Sequence, residues 1–308
     1  MPFKRFRLVV AAVAVAVVAF PAAAHADAVT DWNIYANTAI FSNGPTAHSA
    51  VLSTAMVEGA VYDAVNAIAG GYQPYLDTPA ADPSFSQDAA AATAAFRVAL
   101  AVAPASQASY LQGKYGASLS AIPDSPAKTG GISVGEAAAA HMLAVRQFDG
   151  RGGPFTFVFG TNPGEWRKSP PSFGVDPTPW VGNVTPFMLP NAAMLRSNGP
   201  DKLTSGAYAK DFNEVKSLGA LNSTTRTADQ TMAAIFWQSQ PGGLYGGVMR
   251  SLSARFGLTT AQNARLFGMV SLAAADGAIA CWNDKYYWNF WRPIDVIRQV
   301  ATDGNPST

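Results

Sequence analysis

Between Trp282 and Pro293 the chain reads Trp-Asn-Asp-Lys-Tyr-Tyr-Trp-Asn-Phe-Trp-Arg-Pro, with five aromatic residues separating Lys285 from Arg292. On a helix, seven positions make nearly two turns, so both cations project from one face with α-carbons about 10.5 Å apart. Long side chains leaning together can grip one small oxyanion. Arginine brings a planar fork and lysine a compact point charge. In a shielded site each charge-assisted hydrogen bond contributes about 1.5 to 3 kcal/mol. A plainer reading is that both side chains snorkel from an aromatic helix into water, or that Arg292 only caps carbonyls at the helix end.

Other reactive residue types offer less. His48 and His141 are solitary in alanine-rich helical segments, without the paired spacing of a metal site, so no metal site is expected. Cys281 is the sole cysteine; it cannot pair within the chain and reads as a small buried apolar residue. Glu58, Asp63 and Asn66 lie in an apolar helical stretch and are expected to satisfy neighbouring polar groups. No nucleophile elbow, phosphate-binding Walker loop or dinucleotide fingerprint is present.

The elements that must position Lys285 and Arg292 are helical. Pro45 and Gly70-Gly71 bracket an apolar helix over 46–69. Ser86 caps a second helix that ends at Pro104. Further helices are expected over 104–119 and 134–148, then over 205–218 and 227–239, the latter stopping before Pro241-Gly242-Gly243. Thr259 and Gln262 form a capping-box pattern that opens a long helix to about Trp291, where Pro293 discourages continuation. Nine prolines over 149–200 rule out a long helix there. Trp166, Trp180, Phe187 and Leu189 mark this stretch as an ordered connector lying across the helical body. No heptad run or long repeat is found.

Apolar residues make up 49% of the 308 and charged residues 13%, which fits a large packed core. The formal charge is +1, or about −2 without Lys4, Arg5 and Arg7, so nothing recruits nucleic acid or an acidic membrane surface. A short basic start, the apolar run Leu8 to Phe20 and Ala24-His25-Ala26 have the layout of a secretory signal peptide. The expectation is residues 1–26 as a leader cleaved near Ala26, a secreted or extracytoplasmic domain over 27–308, and no stable membrane anchor. The leader run is shorter than the roughly 20 apolar residues needed to span a bilayer, and no later segment is expected to compete.

The spacing Lys285, six residues, Arg292-Pro293 resembles the first signature of the vanadium-dependent haloperoxidase and type 2 phosphatidic acid phosphatase superfamily. Trp282 resembles an aromatic position lining the vanadate pocket. Tyr62-Asp63-Ala64-Val65-Asn66-Ala67-Ile68, Gly164-Glu165-Trp166-Arg167, Tyr208 through Lys216 and Thr224 through Gln230 resemble the secreted bacterial haloperoxidase-related branch. The resemblance implies an all-α, multi-helix bundle in which Lys285, Arg292 and Trp282 bind vanadate, with phosphate as the alternative oxyanion. It implies that Lys285 polarises bound peroxide and Arg292 neutralises equatorial oxygens, so that hydrogen peroxide oxidises a halide that then attacks an organic acceptor. Hydrolysis of a phosphate ester in the same pocket, and a secreted helical scaffold without turnover, are the alternatives. The family's second motif, Pro-Ser-Gly-His, and its third, Ser-Arg followed by histidine, do not occur among these residues. The expectation is therefore a chain ending after the first motif, with the C-terminal part of the bundle missing and little or no turnover of its own.

Overall fold

The computed structural model describes residues 27–42, 47–238 and 241–308; the expected leader over 1–26 lies outside the described residues. Among those described, the chain is all-α: α1 (Ala28–Ile40), α2 (Ala47–Ala69), α3 (Gln87–Val102), α4 (Ala108–Ser120), α5 (Pro126–Val145), α6 (Gly206–Gly219), α7 (Ala228–Trp237), α8 (Pro241–Phe256), α9 (Thr260–Trp288) and α10 (Pro293–Arg298). The one β-type pairing among them is an isolated antiparallel bridge between Glu165 and Phe290.

α2 is central, lying along α9 and against α3 and α5, with α1 laid across α3. Small residues permit this close packing. Ala89 through Ala95 of α3 are fully buried, Thr93 among them, and a Cβ on Gly135 of α5 would stand 2.5 Å from the carbonyl oxygen of Ala90. Larger side chains such as Trp32, Leu52, Met56, Leu111, Met142, Phe267 and Ile279 fill the gaps. Each contributes about 1.5 to 3 kcal/mol through burial. A second, smaller cluster joins α6 to α10 through Tyr208, Phe212, Trp291 and Val296.

Side-chain caps set most helix starts. Ser86 accepts from the Ala89 N–H, Ser205 from Tyr208, and Thr227–Gln230 and Thr259–Gln262 form reciprocal capping boxes. Three elements differ from the sequence reading. α5 begins at Pro126, capped by Ser125, eight positions before the expected start, because proline at the first helical position is already set for the helix. α1 was not anticipated; Asp27 caps it. Pro241-Gly242-Gly243, read as a stop, opens α8. There packing against α1, α2 and α9 overrides poor glycine propensity. α9 corrects only the expectation that no segment after the leader is apolar for long enough, since by length and composition it could cross a bilayer. Half of its most apolar window is buried inside the protein.

Glu58, Asp63 and Asn66 of α2 each find a partner, though Asn66 Oδ1 has none among the described residues. Glu58 accepts from Asn33 at 2.7 Å, Asp63 from the Tyr75 and Leu76 amides at 2.7 and 2.9 Å, and Asn66 donates to the Tyr72 carbonyl at 2.9 Å. The stretch 149–200 is irregular apart from a 3-10 turn, Pro179–Asn183. Trp166, Val181, Val184 and Phe187 are buried, while Trp180 and Leu189 are partly so.

Candidate oxyanion site

α9 organises the site by fastening 149–200 along its length. Its buried Asp276 accepts from three successive amides, Phe187, Met188 and Leu189, at 2.6, 2.8 and 2.9 Å. Nearly two turns further on, the 3-10 turn presses directly on the α9 backbone. Gly182 allows this, because a Cβ there would lie 2.7 Å from the Asn283 nitrogen and 2.8 Å from the Trp282 carbonyl carbon. Asn283 donates to the Gly182 carbonyl at 2.8 Å. Asp176, just upstream, is thereby carried against the last two turns of α9.

Three side chains of α9 converge on one oxygen of Asp176. The Trp282 indole donates to Oδ2 at 2.8 Å, the Tyr286 hydroxyl at 2.9 Å and the Lys285 ammonium at 3.2 Å. Oδ1 accepts from the Thr178 amide at 2.9 Å and its hydroxyl at 3.3 Å. The Asp176 side chain is only 7% exposed. Burial by itself raises its pKa, but the Thr178 amide, the two aromatic donors and the Lys285 charge overcome that and hold it down to about 2. Burial, then the hydrogen bond to Asp176 and its charge, push the Tyr286 hydroxyl well above its ordinary range, so it stays protonated as a donor. Phe155 and Phe157 pack against the Tyr286 ring, with centroids 4.6 and 6.1 Å away.

Lys285 and Trp282 thus share one cluster; Arg292 reaches it by a different route from the one expected. α9 stops at Trp288, three residues early, because Asn289 turns into the left-handed region at φ 47° and its amide closes on the Lys285 carbonyl. Arg292 precedes Pro293 and is extended at φ −83°, ψ 154°. Proline disfavours the helical conformation in the residue before it. The two cations therefore do not stand two turns apart on one helix face. Arg292 is held by the Trp166 amide donating to Asn289 at 2.8 Å and the Trp291 amide donating to Gly164 at 3.1 Å. Its guanidinium makes no hydrogen bond or ion pair among the described residues. It is close enough to the Tyr286 hydroxyl for its charge to favour the phenolate, a pull that burial and Asp176 outweigh.

Sequence reasoning missed Asp176, Tyr286 as a donor, and the position of His48. The His48 ring lies 3.6 Å from that of Trp282, centroid to centroid. Its Nδ1 is buried without a partner among the described residues. Burial lowers its pKa first; Asp176 pulls it up and Lys285 down. Cys281 is exposed rather than buried. Among the described residues no three histidine, cysteine or acidic side chains gather to hold a metal ion.

The donor set fits an oxyanion: it already holds a carboxylate through N–H and O–H groups alone, with a second cation alongside. Comparison with known proteins points the same way. Residues 265–306, covering the end of α9, Lys285 and Arg292, match the family described as the VCPO second helical-bundle domain. Vanadium chloroperoxidase from Curvularia inaequalis is 30% identical over 103 residues, a region spanning 28% of this chain and 16% of that protein. A bacterial vanadium-dependent iodoperoxidase structure superposes with a TM-score of 0.77 at 20% identity, covering 91% of this chain and 74% of the other. A holo-type bacterial vanadium-dependent chloroperoxidase gives 0.59 at 17% identity, with 91% of this chain and 66% of that one covered. The fold is that of the vanadium haloperoxidases. Taken together, these matches show a chain that shares the vanadium haloperoxidase fold and whose residues 265–306 are similar to the second helical-bundle domain of that family.

Proposed function

We propose that this protein serves vanadate-dependent oxidation of a halide by hydrogen peroxide, and that Lys285, Trp282, Tyr286 and Arg292 form its part of the oxyanion pocket. One observation carries the reading: three donors meet on a single anionic oxygen beside a guanidinium that no described side chain neutralises. Vanadate, when bound, supplies the centre at which peroxide is activated. The chain's own residues supply charge and orientation. Lys285 has three N–H donors and gives one to Asp176, leaving two for a ligand oxygen. Arg292 offers a planar fork. Asp176 keeps Lys285, Trp282 and Tyr286 in fixed directions and reduces the net charge of the two cations from +2 to +1. This leaves the pocket cationic towards an anion without stranding two buried positive charges.

Phosphate competes for the same donors, because the two oxyanions share tetrahedral geometry. No specific contact in the pocket favours ester hydrolysis. Export from the cytoplasm, through the leader expected over 1–26, is part of the proposal. So is the use of small-molecule partners: hydrogen peroxide, halide and an organic acceptor.

The test is calorimetric titration of vanadate into folded protein. Arg292→Ala and Lys285→Met should each weaken vanadate by at least about tenfold, the loss expected for one shielded charge-assisted bond. Unchanged affinity in both variants would return the pair to surface cations.

A further inference from the structure

The residues flanking Arg292 face something other than the anion pocket. Trp291 and Pro293 line a cavity of about 250 Å³ between α6 and α10, while Arg292 does not line it. In an extended segment neighbouring side chains point to opposite sides, so cavity and anion site lie back to back across one stretch of backbone. The cavity is separate from the cluster at Asp176 and shares none of its donors.

We propose that this cavity binds a small aromatic or apolar molecule carrying one cationic group. Its walls are the rings of Tyr208, Phe212 and Trp291 and the aliphatic side chains of Val215 and Val296. A cavity of on the order of 150 Å³ holds benzene, so 250 Å³ accommodates an aromatic ring with a short tail. The charged members of the lining are Asp201 and Asp211, both exposed. A third carboxylate, Asp303, acts on the Tyr208 hydroxyl from behind. Two cations stand over wall rings, the Lys216 ammonium 5.2 Å from Phe212 and the Arg167 guanidinium 5.4 Å from Trp291. The three carboxylates outnumber them, and their positions show that these rings accept a cation on the face.

Two further features set this pocket apart from an ordinary packing gap. Tyr208 and Trp291 are both more than nine-tenths buried, and the Tyr208 hydroxyl and Trp291 indole N–H act on each other without closing to a normal hydrogen bond or finding another partner among the described residues. Buried polar atoms in a settled interior are nearly always paired. A ligand against the Trp291 ring is placed to complete the pairing of these groups.

The experiment is ligand-observed NMR and calorimetry with phenethylamine, phenethyl alcohol and phenylacetate, which share a ring and differ in charge. Phenethylamine should bind saturably, about three- to fivefold tighter than the alcohol, with the acid weakest. Val215→Trp fills the cavity from the half-exposed side of α6 and should abolish binding while leaving the circular dichroism spectrum unchanged. The double variant Asp201→Asn, Asp211→Asn should remove the amine's advantage over the alcohol and leave the alcohol's own affinity intact. Binding that survives Val215→Trp, equal affinity for the three probes, or no saturation at about ten times a 1 mM Kd would overturn the assignment. None of these outcomes depends on vanadate binding, so the pocket and the proposed activity stand or fall separately.

Discussion

Asp176 and Glu58 are two shielded carboxylates in one molecule, and their surroundings drive them in opposite directions. Asp176 accepts from five donors, three from α9 and two from Thr178, and its pKa falls to about 2. Glu58, in the middle of α2, has one hydrogen bond from Asn33, while Arg250 bonds Asn33 and reaches Glu58 only by its charge. Burial therefore wins, and its pKa rises to about 7. Asp63, with two backbone amides, falls between them at about 6. Depth of burial and the number and charge of the donors together decide whether a carboxylate in this fold is a fixed anion or a protonated strut. The fixed anion is the one that faces the cations of the candidate site.

The largest effect should come from Glu58. Its raised pKa means that the protonated form stabilises the fold fully below the unfolded value of 4.5. That stability is lost as pH rises through about 7. Urea unfolding should show stability falling by on the order of 3 kcal/mol between these limits. Glu58→Gln should reduce the slope and leave the part below about pH 6 that Asp63 contributes; an unchanged slope in the variant would place the titration elsewhere and dissolve the contrast with Asp176.

Next in size is Asp176→Ala, which strands the Trp282, Tyr286 and Lys285 donors. Lys285 is 32% exposed and recovers some hydration, so the expected loss is about 2 kcal/mol rather than the full cost of an unpaired buried ion. The same urea series measures it, and a loss near zero would mean that Asp176 is no hub.

A smaller effect concerns acid. A depressed carboxylate pKa contributes stability above the unfolded value of 3.8, and this is lost as pH falls through about 2. After allowance for solvent screening this is about 1 kcal/mol. Comparison of Asp176→Asn with the parent between those two pH values should show the parent alone losing it. The smallest effect on stability is predicted for Arg292→Ala, below about 0.5 kcal/mol, because the guanidinium holds nothing in the fold. A large loss of stability would reveal a structural arginine and remove it from the ligand site, whatever calorimetry shows for vanadate.

Local chemistry made much of this molecule legible from its residues. Ser86, Ser205, Thr227 and Thr259 announce helices because a cap acts within three residues of itself. The Lys285–Arg292 spacing carried the family resemblance for the same reason, being short and contiguous. Sequence reading failed where a contact spans the chain. Asp176 meets Lys285 across 109 positions, from a proline-rich stretch without any period, and only Gly182 docking on α9 brings it there. α8 exists because its neighbours bury one face, despite its glycines. Arg292 was recognised by type and spacing, but its direction was settled by Asn289 and Pro293 together with the pairing of 164–166 against 289–291. Residue types and near-neighbour spacing specify what a side chain can do. Which charges it meets depends on long-range packing, because burial and donor count are properties of the assembled neighbourhood.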